Sequence, residues 1–160
     1  MLPSIQTFPH TKLVGQKMNM SFAQDKTLEL WQSFAPRKKE IKNIVNPDLY
    51  SVEIYPTPTF FQNFDPTRQF EKWAAIAVSK IEEIPKGMQS LTIPEGLYAV
   101  FPYKGKPSEA MKTFRYIYSE WLPNSEYEID SRPYFALMGD KYKGEHSESE
   151  EEFWVPIKKK

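Results

Sequence analysis

One order of elements occurs twice along this chain, and that repetition narrows the folds open to it more than any count of residues. Lys12 to Met20 reads as a strand. Asp25 and Thr27 are good helix-entry residues, and Leu28, Trp31, Phe34 and Ala35 then recur at helical spacing. Pro36 kinks or restarts that helix, because proline cannot donate the interior hydrogen bond. Leu49 to Tyr55 alternates as a strand does, and Phe70 to Val78 is a longer strand buried on at least one side. Between them Pro56 to Pro66 must be a loop, with Phe60, Phe61 and Phe64 packing it down. The second half runs strand (Gly96 to Tyr103), helix, strand (Pro133 to Met138), strand (Glu152 to Ile157). Pro107 and Ser108 open its helix, Ala110, Phe114, Ile117, Tyr118 and Trp121 form the apolar stripe, and Pro123 stops it. The halves share little residue identity, so the repeat is one of order. It predicts an α+β domain of duplicated β-α-β-β units, related by a pseudo-twofold axis, each helix covering an antiparallel sheet. A central cleft between the units is then a natural place for a ligand.

The expected boundaries are one domain over 1–160, a first unit at 12–80, a connector at 81–94 and a second unit at 95–157. The residues before Lys12 read as disordered. A domain of 160 residues buries enough surface to need no staple, in keeping with the absence of cysteine. That absence excludes disulfides, thiolate metal sites and a cysteine nucleophile. With 21 basic against 21 acidic residues there is no global field for nucleic acid or an anionic membrane. The runs Arg37–Lys39 and Lys158–Lys160 read as a solvated helix end and a frayed tail. No signal peptide or membrane-length apolar run is visible, so a soluble, cytoplasmic protein is expected. His10 and His146 have no partner at ligand spacing, and no glycine-rich phosphate loop occurs, so neither metal nor cofactor is expected.

Four segments in order carry a resemblance. Gly96-Leu-Tyr-Ala-Val-Phe, Trp121-Leu-Pro-Asn-Ser-Glu-Tyr-Glu, Asp130 with Arg132-Pro-Tyr-Phe135, and Glu152-Phe-Trp-Val-Pro-Ile157 together resemble the GyrI-like family. This is the effector-binding domain of some AraC-type and MerR-type bacterial regulators, also found as stand-alone proteins. Lys12-Leu-Val-Gly15, Gln24 to Trp31 and Phe70 to Ala75 look like the stand-alone branch. The resemblance implies a pocket for amphipathic, often cationic aromatic compounds, read by a glutamate on the final strand that maps onto Glu152. It also implies that some stand-alone members hydrolyse strained cyclopropane-bearing natural products. No helix-turn-helix precedes the domain in this sequence, so no nucleic-acid contact by this chain alone is expected.

Alternation sets Glu152, Trp154 and Pro156 on one face of the final strand, and Phe153, Val155 and Ile157 on the other. Glu150 and Glu151 are expected at the surface, as most residues of acidic runs are. Spacing alone leaves Glu152 open between rim and pocket, and the resemblance selects it. A carboxylate beside Trp154 would hold a cation by charge and by a cation–π contact. An unpaired buried carboxylate requires a raised pKa or a hydroxyl donor, for which Tyr103, Tyr118 and Tyr134 are candidates. Trp31, Trp73, Phe114, Trp121 and Phe135 are the candidate apolar walls. The leading expectation is a stand-alone binding protein for amphipathic cationic aromatic molecules, with no membrane partner, as monomer or homodimer. The alternatives are a hydrolase with Glu152 as general base, and a protein-interaction module.

Overall fold

A computed structural model describes residues 2–160. The chain forms β1 (Ser4–Phe8), β2 (Thr11–Met20), α1 (Thr27–Phe34), β3 (Ile44–Ile54), β4 (Phe70–Val78), β5 (Gln89–Ile93), β6 (Gly96–Lys104), α2 (Met111–Tyr116), β7 (Tyr127–Ile129), β8 (Tyr134–Met138) and β9 (Glu150–Lys159). All pairings are antiparallel, in the order β1-β6-β9-β8-β3-β4-β2-β5, with β7 joined to the far end of β9. The architecture is α+β: one curled antiparallel sheet carrying two helices. α1 lies between β2 and β3, α2 between β6 and β7, and β3 pairs with β8 in the middle of the sheet.

Three strands depart from the expectations. β1 lies in the stretch read as disordered, and β5 in the connector. β7 is a three-residue strand beside β9. β1 gave no alternation to read because four of its five residues are exposed, and it is held by backbone pairing to β6. β3 also starts earlier than Leu49, through Pro47, at a register shift between Ile44 and Leu49 against β4. Such irregularities accommodate a residue that cannot donate to the ladder.

Asp25 braces the start of α1 by accepting the Thr27 backbone N–H at 2.9 Å. The helix buries Leu30 and Phe34 against Val14, Met20, Ala74 and Ile76. Pro36 opens a tighter 3-10 turn over Ala35–Glu40, so it restarts the helix in a different winding. Ala110 and Ile117, at the two ends of α2, pack on Ala99, Phe101, Phe153 and Val155.

Away from the helices, the sheet closes on itself. Phe8 of edge strand β1 and Ile93 of the opposite edge strand β5 share one cluster with Tyr50, Trp73, Tyr98, Phe135 and Trp154. Two distant edges reach one cluster only because the sheet curls, as right-handed strand twist favours. Phe135 and Trp154 stack at 5.3 Å, and Phe8 meets both rings edge-on or tilted. Gly96 leaves room for the Arg132 side chain at the edge of this core. A Cβ there would collide with the Arg132 guanidinium, which lies over the Tyr98 ring at 4.8 Å. Arg132 also donates to the Leu97 and Ile157 carbonyls, tying β6 to β9.

Candidate functional site

The two helices leave the middle of their face uncovered, over the β3–β8 seam. Its floor is made of small side chains: Ala74 of β4, Ser51 of β3 and Ala136 of β8 stand in register across three strands. One step along the sheet, Lys72, Glu53 and Tyr134 form the next row on the same face. From β9, alternation sends Glu151, Phe153, Val155 and Ile157 to this face, since the last three pack with α2.

Lys72 reaches Glu53 at 3.7 Å, their side chains only 16% and 19% exposed. Burial pushes the Glu53 carboxyl up to about 7, with Lys72 opposing the shift and Asp25 adding to it. Glu151 is 8% exposed, and its Oε2 is buried without a hydrogen-bond partner. Burial, reinforced by the charge of Glu53 and opposed by Lys72, also pushes Glu151 up to about 7. Phe153 extends the Ser51–Ala136 row onto β9, so Glu151 stands on the opposite side of this floor from Glu53 and Lys72, two rows away along the sheet.

Tyrosines wall this acidic patch. Tyr55 meets Tyr134 edge-on at 4.8 Å, and Tyr118 is tilted to Tyr134 at 6.5 Å. The Tyr134 hydroxyl is buried without a partner. Burial and the neighbouring Glu53 charge raise the pKa of Tyr55, Tyr118 and Tyr134, so all three stay neutral phenols. Tyr118 sits in a wide turn that continues α2 over Ile117–Trp121, closed by Leu122 N–H donating to the Ile117 carbonyl at 2.9 Å. Such π-type turns recur where a side chain is re-aimed for function.

The loop between β3 and β4 fills the space above. Phe61 stacks on Tyr118 at 4.3 Å with 12° between the planes, and it meets Tyr55 edge-on at 4.9 Å. Phe60 is the anchor, 1% exposed, while Phe61 is half-buried. The expected central cleft is therefore occupied by the protein's own ring. What stays open beside it is a cavity of about 100 Å³ bordered by Tyr55, Pro58, Arg132 and Tyr134. A larger surface hollow of about 360 Å³ lies elsewhere, by Trp121 and Leu2, and no buried charge faces it.

Of the residues expected from the sequence, the structure brings Tyr118 and Tyr134 together at this place. Phe114 and Tyr103 lie farther along α2 and β6, both against Phe153, with the Tyr103 hydroxyl donating to the Lys106 carbonyl. Trp121 seals the helix end against Phe101 and Tyr127, and Trp31 packs on Phe34. Trp73, Phe135 and Trp154 belong to the concave core on the other face. Glu152 faces that side too, accepting the Trp154 indole N–H at 3.2 Å. The buried acid on the helix face is instead Glu151, one of the residues expected at the surface. The strand gives its odd-numbered positions to the helix side, and the three-glutamate run supplies a carboxylate to either parity. Glu53, Tyr55, Phe61 and Lys72 were not anticipated. The signal for Glu53 was the series Ser51, Glu53, Tyr55 on one side of a strand that lies at the centre of the sheet.

The sequence model of the GyrI-like small molecule binding domain matches residues 1–158. The chain belongs to that family. Within curated proteins, this GyrI-like chain is 26% identical over 151 residues to the transcriptional regulator BrlR of Pseudomonas aeruginosa. The match covers 93% of the chain but 53% of BrlR, so the chain spans about half the length of that relative. Solved structures share the fold: SAV2435 bound to tetraphenylphosphonium has a TM-score of 0.75 at 18% identity, over 99% of this chain and 94% of that one. The EcmrR–DNA complex aligns at 0.72 and 13% identity, over 98% of this chain and 57% of EcmrR. Among the described residues, no helix is long and apolar enough to cross a membrane, and no cluster of histidine and acidic residues suits a metal ion.

Proposed function

We propose that this domain binds amphipathic, cationic aromatic molecules at the tyrosine-walled patch, and that Glu151 with Glu53 reads their positive charge. The single observation that carries the reading is the buried, unpartnered Oε2 of Glu151 on the helix-covered face. A carboxylate oxygen without a donor destabilises an empty site, and a cation entering from outside would relieve it. Tyr55, Tyr118 and Tyr134 offer ring faces and edges for the aromatic part, which would take the stacking position Phe61 now holds on Tyr118. Phe61 has to swing aside, and the half-buried ring beside a firmly anchored Phe60 is suited to that. The tetraphenylphosphonium complex of SAV2435, which shares the fold, is in keeping with a lipophilic cation as ligand.

The same reading takes residues 1–160 as one effector-binding domain, with 12–80 and 95–157 as duplicated units joined by 81–94. Supporting it, each unit's closing strand carries a tryptophan bonded to the glutamate two residues before it, Trp73 to Glu71 at 2.6 Å and Trp154 to Glu152 at 3.2 Å. No observation of comparable weight favours hydrolysis or a protein-contact role.

Calorimetric titration with tetraphenylphosphonium tests the site. Glu151→Gln is expected to weaken binding about tenfold or more, as loss of a buried charge partner does, whereas Glu152→Gln leaves affinity unchanged. Phe61→Ala should strengthen binding several-fold, roughly the contribution of one aromatic stacking contact. Equal loss in both glutamate variants, or no binding by Phe61→Ala, would overturn the assignment.

A further inference from the structure

Resting on that reading, we propose that Lys72 sets the charge class of the ligand, acting as a tethered counter-cation that reserves the site for molecules bearing one positive charge. Three elements contribute the charges that flank the Ser51–Ala136 floor: Glu53 from β3 and Lys72 from β4 on one side, Glu151 from β9 on the other. Asp25, ahead of α1, adds a weaker negative field at Glu53. Arg68 lies on the outer side of the covering loop, over the Phe60 ring at 5.5 Å. Well above pH 7, the condition for the titrations below, both carboxylates are ionised and the buried three carry one net negative charge.

The distribution matters as much as the sum. Lys72 satisfies Glu53 at 3.7 Å and holds its own charge inside the protein, with 16% of its side chain exposed. Glu151, 8% exposed, is left with an oxygen that has no donor. One ligand cation therefore completes the neutralisation. A second would be brought into a poorly hydrated region already holding an ammonium, where like charges repel far more strongly than in water. Ligand charge is thus counted against a residue of the protein, and size is judged separately by the tyrosine walls and the Ser51 and Ala136 floor. Lys72 and Glu53 stand opposite each other on adjacent strands.

The test compares a monocation, tetraphenylphosphonium, with a dication, methyl viologen, by calorimetric titration of the whole chain. The wild type should favour the monocation by about tenfold or more, the scale on which misplaced buried charges discriminate. In Lys72→Met the ratio of the two affinities should move toward the dication by about tenfold or more, whereas Lys72→Arg should keep the wild-type ratio. Lys72→Met combined with Glu53→Gln leaves one carboxylate and no ammonium, and it should return to the wild-type preference. A ratio in folded Lys72→Met within about threefold of wild type would overturn the proposal. Should that variant fail to fold, Glu53→Gln decides: it leaves Glu151 facing Lys72 with no net charge, and undiminished tetraphenylphosphonium binding would equally overturn it. If the wild type and Phe61→Ala bind neither probe, the site reading itself fails, an outcome distinct from an unchanged ratio.

Discussion

On the concave face, Trp73 and Trp154 give their indole N–H groups to Glu71 and Glu152, and the unpartnered atom there is a donor, Nη1 of the Arg132 guanidinium over Tyr98, whose Nη2 is bonded. On the helix-covered face, a few ångströms through the same sheet, Glu151 Oε2 and the Tyr134 hydroxyl have no partner. The first face interlocks side chains from strands at both edges of the sheet. The second closes over small side chains with a borrowed ring, Phe61. The contrast assigns holding the fold to one face and keeping an unmet demand for a donor to the other.

The largest effect expected is on the concave side. Trp154→Ala should cost about 3–5 kcal/mol, as truncation of a buried aromatic does, measured by urea unfolding. A loss below about 1 kcal/mol would mean that this face is not the structural one.

Next in size is a pH effect from the other face. Glu151 has a folded-state pKa of about 7, above its ordinary value of 4.5, so the folded state holds more protons between those limits. Stability therefore falls as pH rises from 4.5 to 7 and is flat beyond. Relative to Glu151→Gln, the wild type should lose up to about 3 kcal/mol across that window. Glu53, raised to about 7 for the same first cause, contributes in the same direction. Parallel pH profiles for wild type and variant would show Glu151 to be solvated.

Smaller still, Tyr134→Phe removes a hydroxyl that has no partner, and it should stabilise slightly or stay within about 1 kcal/mol of wild type. A marked loss would reveal a bond to that hydroxyl. The smallest effect belongs to Glu152→Gln, which keeps an acceptor for the Trp154 indole and should change unfolding by less than about 0.5 kcal/mol.

Much of this division was legible in the sequence. Period-two alternation located β3, β4 and β6, because each has at least one buried face. It could not rank the three glutamates of β9, since that strand is buried on both sides: Phe153 and Trp154 are equally good inward residues, and either parity looks like a core face. Glu53 and Lys72 were hidden by a related effect. Polar residues at alternate positions ordinarily mark a solvated face, and only the position of β3 and β4 within the sheet makes theirs a covered one. Phe61 was visible as part of a loop that packs down, but which ring it lands on depends on contacts far apart in sequence. Tyr118 was found by its place on a helical stripe, even though the backbone there is wound more widely than an α-helix.

That wide turn makes the length of this helix consequential. A π-type turn amounts to one surplus residue in an α-helical stretch, so deleting Ser119 would let the backbone recover ordinary winding without breaking the helix. Because the wide turn has already absorbed the extra residue, what lies beyond the deletion would keep its orientation, and Trp121 its seat on Phe101. Tyr118 stands inside the wide turn, so its aim is what would change. A single-codon deletion in this segment would thus disturb the tyrosine wall while sparing the seal at the helix end.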